Sequence, residues 1–386
     1  MKKIRTRKQG LWHEEMIQRY GHVIKYKAYF GVDRVYTTDT KAVNYVLNHS
    51  MVYRKPDQTR FMLSRILGDG LLFVEGHDHK RQRRVMNPSF GTSHIRDMTS
   101  IFVDKSAELR DVLMSRLTSK EGEGEIKLDV LSYLSRATLD IIGLAGFDYS
   151  FNTLANEEDG LAKSFKKLFQ PGGGFPIAQL LKAQFPILRS LLRFDQQSKY
   201  ADDVHRRMTE IGKRLIETKK EEVKQQRSEG SLLQGTKAKD LLSLLIFSNL
   251  DDMTDASKAL TDDEVLHQIP TFLLAGHETT STATAWTLLS LADNPEVQKR
   301  LRDEILNINT ESPTMEELNS LPYLETVVRE SLRYHAVVSG VIRVATEDDI
   351  IPLDKPFVDT MGKVQNSIMS VFSAEPPVLH PDIPTL

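Results

Sequence analysis

The order of hydrophobic and polar positions divides the chain into a short β-like start and a long helical remainder. In HVIKYKAYF, Ile24, Tyr26, Ala28 and Phe30 alternate onto one face, and Gly31 to Asp33 offer a turn before RVYTT, the pattern of a β-hairpin. Asp39 is placed to cap a helix over TKAVNYVLNH, where Ala42, Val43, Val46 and Leu47 fall at helical spacing. From there the 3.6-residue period predicts helices over 58–67, 78–86, 92–117, 128–146, 159–169, 199–228, 237–250, 262–292, 295–308 and 322–335. The expected class is mainly α with a small β portion. Within 204–228, rich in Lys, Arg and Glu, Met208, Ile211 and Leu215 form one apolar stripe, which reads as a solvated helix rather than a nucleic-acid site. PGGGFP, Pro171 to Pro176, follows no strand and so reads as a flexible connection, not a phosphate-binding loop. No internal repeat or long low-complexity linker divides the chain, so one domain over 1–386 is expected, with 1–19 as an N-terminal lead.

Composition narrows the chemistry. With 51 basic and 53 acidic residues there is no net field to draw nucleic acid or an anionic surface. The absence of cysteine excludes disulfides, thiolate-bound zinc, iron–sulfur ligation and a cysteine nucleophile in this chain, and leaves the compartment unread. The basic start MKKIRTRKQGLWHEE is followed by no apolar stretch, and the longest apolar stretch, near Ile269 to Leu274, falls far short of the roughly 20 residues of a span. No membrane anchor is therefore expected, and that stretch reads as a buried helix. His77 and His79, two apart, do not share a helix face, so no metal pair is expected.

The strongest helix starts at Thr261, whose hydroxyl and Glu264 form a capping box, and extends to the Asn294-Pro295 break, on the order of 45 Å. Its middle, TFLLAGHETTSTATAW, places Gly276, a carboxylate and several hydroxyls inside a core-crossing element. Gly276 costs up to about 1 kcal/mol relative to alanine there, so something compensates. One reading is a helix crossing at small residues, with hydroxyls bonded back to the previous turn. The other is a flat ligand on Ala275 and Gly276, with Glu278 and Thr279 handling protons beside it. Farther on, in YLETVVRESLRYH, Glu330 and Arg333 stand three apart and face the same way, which by itself is an ordinary surface ion pair.

AGHETT resembles the oxygen-activation motif of the cytochromes P450, and YLETVVRESLRYH, following at the expected distance, resembles that family's Glu-x-x-Arg helix. EGHDHKRQRRVMNPSF resembles the helix in which an aromatic residue and an arginine four later bind a heme propionate. Arg83 matches the arginine, and His79 stands where tryptophan is usual. SGVIRVATEDDIIPL resembles the strand of a second propionate-binding arginine, here Arg343. With DVLSYLSRATLDIIGLAGFDYSF, the similarity runs from about Tyr20 to about Leu353 and is closest to fungal microsomal members.

The resemblance implies heme b as cofactor, O2 and an apolar small molecule as substrates, and electrons from an NADPH-dependent reductase; family members are usually anchored to the endoplasmic reticulum. It gives Glu278 and Thr279 proton relay, His79, Arg83 and Arg343 the propionates, Ala275 and Gly276 the macrocycle's face, and Glu330 with Arg333 support of the fold. The segment 160–200 would help cover the substrate. Family members carry the axial cysteine farther along the chain, on a Phe-Gly-rich loop. The expectation for these 386 residues is thus a P450-like fold incomplete at the C-terminus, with a poorly ordered tail over 354–386, low solubility and no activity without the thiolate. Neither His277 nor His380 replaces that ligand. A non-catalytic fragment that binds no heme and acts by protein interaction is the rival reading. A helical hydrolase lacks a nucleophile elbow.

Overall fold

The computed structural model describes residues 9–28, 31–118, 126–156, 196–228, 240–250, 259–359 and 361–370. The expected helix at 159–169, the Pro171 to Pro176 connection and most of 160–200 lie outside them. The chain falls into two compact units, one built from residues 1–57 and 341–386, the other from 58–340.

The first unit holds the β-structure. Helix α1 (Gln9–Tyr20) precedes an antiparallel hairpin of β1 (Val23–Lys27) and β2 (Asp33–Thr37), in which Ile24 faces Tyr36. Helix α2 (Thr40–Asn48) follows, then β3 (Tyr53–Arg54), which pairs with β4 (Val344–Ala345). Strands β5 (Asp349–Val358) and β6 (Val364–Ser370) form a second hairpin with Ile351 opposite Ile368. Two sequence expectations are corrected here. Burial along β1 does not alternate, because Val23, Ile24 and Lys25 are all buried: α1 packs on this strand, and Val23 joins a core with Ala42, Leu353 and Ile368. Of the tail expected to be poorly ordered over 354–386, residues 354–358 belong to β5 and 364–370 to β6, and Asp359 accepts the N–H groups of Met361 and Lys363 in the turn between them, while 371–386 lie outside the described residues. Proline and charge in DKPFV masked the strand pattern.

Asp39 ties this unit together. It caps α2 by accepting from the Ala42 N–H at 3.0 Å, and it also receives the backbone N–H groups of Asp354 and Lys355, while only 4% exposed. Burial alone would raise its pKa, but the N–H donors of Lys355, Ala42 and Asp354 outweigh it and hold the carboxyl below the usual range. A depressed folded-state pKa contributes stability that is complete above the unfolded value, near 4, and is lost as pH falls toward the folded one. Asp39→Asn is accordingly expected to cost roughly 1 kcal/mol at neutral pH. In denaturant titrations, its gap to the parent should narrow as the pH drops below about 4; a gap constant over that range would refute the assignment.

The second unit is helical: α3 (Asp57–Leu67), α4 (Gly76–Met86), α5 (Thr92–Thr118), α6 (Val130–Phe147), α7 (Gln196–Ser228), α8 (Leu241–Leu250), α9 (Asp262–Asp293), α10 (Pro295–Ile305), α11 (Met315–Asn319) and α12 (Pro322–Tyr334). Its axis is α9, whose capping box forms as the sequence predicts, with Glu264 N–H donating to Thr261 Oγ1 at 3.2 Å and Thr261 N–H to Glu264 Oε2 at 2.8 Å. Ile269 and Leu273 of α9 are fully buried, together with Val204 and Met208 of α7, Leu242 of α8 and Leu139 of α6. The apolar stripe of α7 is thus a packing stripe. Helix α6 is apolar enough over its 18 residues to cross a membrane by composition. Its burial against α9 makes it a core helix here.

Candidate active site on the central helix

The site is built on α9, and its position is set from both sides. On one side, α6 crosses at Gly276, where an added Cβ would lie 2.8 Å from Ile142 Cγ1 and 3.0 Å from its Cδ1. The crossing is pinned beside it by Thr138, whose hydroxyl donates to the His277 carbonyl at 3.0 Å. Of the two readings of this glycine, the helix crossing is the one its surroundings support. Gly276 turns its open side to α6, and the ligand-facing assignment for it is not what the geometry favours.

At the other end α4 and the loop before it clasp the first turns of α9. Arg81 donates through Nη1 to the Ala259 carbonyl at 2.8 Å and through both terminal nitrogens to Glu264. Burial would raise the Glu264 pKa, yet the Arg81 guanidinium and the Thr261 N–H hold it low. Gln268 donates to Gln82 Oε1 at 3.1 Å and accepts from the Leu71 N–H at 2.9 Å. Gly68, at φ +64°, permits this approach, since a Cβ there would meet the His267 ring at 2.6 Å. Arg81 is a residue that motif reading missed. The motif directs attention to Arg83, two positions on and on another face of the helix.

Between these fixtures, Ala275 and Glu278 are half-buried and Thr279 is exposed, with its hydroxyl donating to the Ala275 carbonyl at 2.6 Å. Burial pushes the Glu278 carboxyl pKa up. His277, fully buried, places Nδ1 2.7 Å from the Leu273 carbonyl, and burial pushes its pKa down to about 4 despite that bond. The helix therefore carries a carboxyl group biased toward its neutral form, one residue from an exposed hydroxyl.

The other predicted residues are placed as follows. On α4, His79 is half-buried, and Arg83 is exposed and forms no ion pair among the described residues. On α12, Arg333 forms a two-pronged bond with Glu330, both contacts at 2.7 Å, on an exposed face. This pair lowers the Glu330 pKa. The helix that carries it is tied to α9 by Thr287 and Ser331, whose hydroxyls lie 2.7 Å apart, and by the stacking of His335 on Trp286 at 4.4 Å. Trp286, Leu288 and Leu289 on α9 and Leu332 on α12 remain substantially exposed. Arg343, in the first unit, is half-buried and donates to the Ile342 carbonyl.

Comparison with known proteins agrees with the motif pattern. The family model described as Cytochrome P450 matches residues 1–353. Cytochrome P450 monooxygenase 205 of Postia placenta is 46% identical over 371 residues, covering 95% of this chain and 68% of the relative. Cytochrome P450 monooxygenase 128 of the same fungus is 40% identical over 362 residues, covering 92% of this chain and 65% of the relative. The ganoderic acid synthetase CYP5150L8 of Ganoderma lucidum is 31% identical over 389 residues, covering 94% and 68%. The chain thus spans about two thirds of the length of the curated relatives it matches.

Proposed function

Because the chain belongs to the cytochrome P450 family, we propose that its activity is heme-dependent monooxygenation, the insertion of one oxygen atom from O2 into an apolar organic substrate with electrons from an NADPH-dependent reductase. The observation that carries this reading is the pairing on α9 of a carboxyl group whose pKa burial raises, Glu278, with the exposed hydroxyl of Thr279.

The residues present fit the periphery of a porphyrin and its distal side. Arg83, exposed and without an ion-pair partner among the described residues, suits a propionate carboxylate, for which guanidinium is the matched donor. His79, four residues earlier on the same face of α4, can donate a second hydrogen bond to it. The resemblance gives Arg343 a propionate as well. The methyl of Ala275 and the side chain of Thr279, one turn apart, offer a flat face to a macrocycle. When bound, heme supplies the redox chemistry that cleaves dioxygen. Burial favours the protonated form of Glu278, and the Thr279 hydroxyl, anchored to the Ala275 carbonyl, can accept one hydrogen bond while donating another. Glu330 and Arg333 form an exposed pair within α12, to which the resemblance assigns support of the fold. No cysteine occurs among the 386 residues, so the thiolate that drives the family's chemistry is not offered by any of them. Taken alone they are expected to catalyse no oxygenation.

The test joins residues 1–353 of this chain to the part of the 46%-identical relative that follows the matched region. The fusion is expected to take up heme and to show the thiolate-type Soret band when reduced under carbon monoxide. If it folds but takes up no heme, while the intact relative prepared in parallel does, the reading fails and the non-catalytic alternative stands.

A further inference from the structure

We infer that Phe90 and Phe272 form an aromatic wall of the cofactor site and hold the apolar rim of the porphyrin, where its methyl and vinyl groups lie. This rests on the proposed heme-dependent activity and adds two residues that no motif marks.

The face of α9 comes first. Ile269 and Leu273 point into the core and are fully buried. Phe272, Ala275 and Thr279 stand at i, i+3 and i+7, which aligns them along a neighbouring face. By helical rise, Phe272 and Thr279 lie about 10 Å apart along the axis. Phe272 packs against the core cluster yet is only half-buried, so part of its ring stays open.

Phe90 reaches that ring from the other side. Helix α4 ends at Met86 and passes into one 3-10 turn, Asn87–Phe90. Met86 and Ser89 are buried, which seats the turn on the core, whereas Phe90 is 53% exposed. A lone exposed apolar side chain is ordinary. Phe90, however, is held in place: its ring lies 5.8 Å from that of Phe272, tilted by 37°, the spacing of a favourable aromatic pair. The pair joins the segment that carries His79 and Arg83 to the face that carries Ala275 and Thr279.

The chemistry along this run fits one occupant. Arg83 and His79 suit carboxylates, the two rings offer apolar surface, and the Ala275 methyl permits close approach. A porphyrin has the same order, with propionates at one edge and hydrocarbon groups around the rest. A purely apolar partner, or a second copy of the chain, would leave the Arg83 guanidinium without an anion.

The test uses the fusion described above, loaded with heme, and follows heme transfer to excess apomyoglobin by absorbance. Phe90→Ala is expected to speed release by about tenfold, because roughly half of a phenylalanine side chain would lose its cover. Phe272→Leu, which keeps apolar bulk in the core but removes the ring, should change release in the same direction. Since the Phe90 ring is already half in water, the unloaded Phe90→Ala protein should melt near the parent. Release at the parent's rate would overturn the inference and leave the heme-dependent reading standing. Faster release matched by an equal loss of stability in the unloaded protein would mark Phe90 as a packing residue and overturn it too. If Phe90→Ala does not fold, Phe90→Leu decides by the same criteria. A fusion that folds but takes up no heme removes the inference together with the reading beneath it.

Discussion

In the fusion protein, Glu278→Gln is expected to slow product formation by about 10²-fold or more while leaving heme content unchanged, since proton transfer by a positioned side chain contributes on the order of 10²–10⁴. Glutamine preserves the size of the side chain and its capacity for hydrogen bonding, so the loss reports the removed acid rather than altered packing. Because the proton is needed in the chemical step and not for substrate capture, kcat and kcat/KM should fall together with KM little changed. Thr279→Ala, which removes the exposed hydroxyl bonded to the Ala275 carbonyl, should fall in the same direction and should not add fully to Glu278→Gln, because the two act as a unit. A Glu278→Gln enzyme with the parent's rate would remove the acid from the proposed relay.

The second large effect concerns the helix crossing. Gly276→Leu is expected to cost the helical unit about 2 kcal/mol: roughly 3 kcal/mol of overpacking against Ile142, less about 1 kcal/mol regained in helix propensity. The first atom beyond Cα already meets Ile142 Cγ1 at 2.8 Å, so α6 must move or Ile142 must leave its rotamer. Ile142→Ala in the same chain should recover much of the loss, a coupling of the kind seen between residues in contact. Additive costs of the two changes would show that something other than this contact sets the requirement for glycine.

Sequence carried different parts of this molecule with different fidelity. The reading of α9 as 262–292 falls one residue short of the observed end at Asp293, because Thr261 and Glu264 write its start and Asn294-Pro295 its stop in local chemistry. The same holds at α12, expected over 322–335 and found over 322–334. Gly276 illustrates the limit. Its identity signals a close approach, but not what approaches, and Ile142 lies far away in the chain. Arg81 was illegible for a similar reason: three arginines within four positions of α4 look alike in sequence, and only the placement of Glu264 selects one. The β5–β6 hairpin escaped because its pairing is irregular between Pro352 and Phe357, which breaks the alternation on which strand recognition depends.

Glu264 serves two ends at once, closing the first turn of α9 and receiving the guanidinium from α4. Fraying of that turn and release of α4 are consequently one event. Amide protons of both segments should exchange with solvent at a common rate, so that the floor carrying His79 and Arg83 cannot loosen unless the central rod begins to unwind.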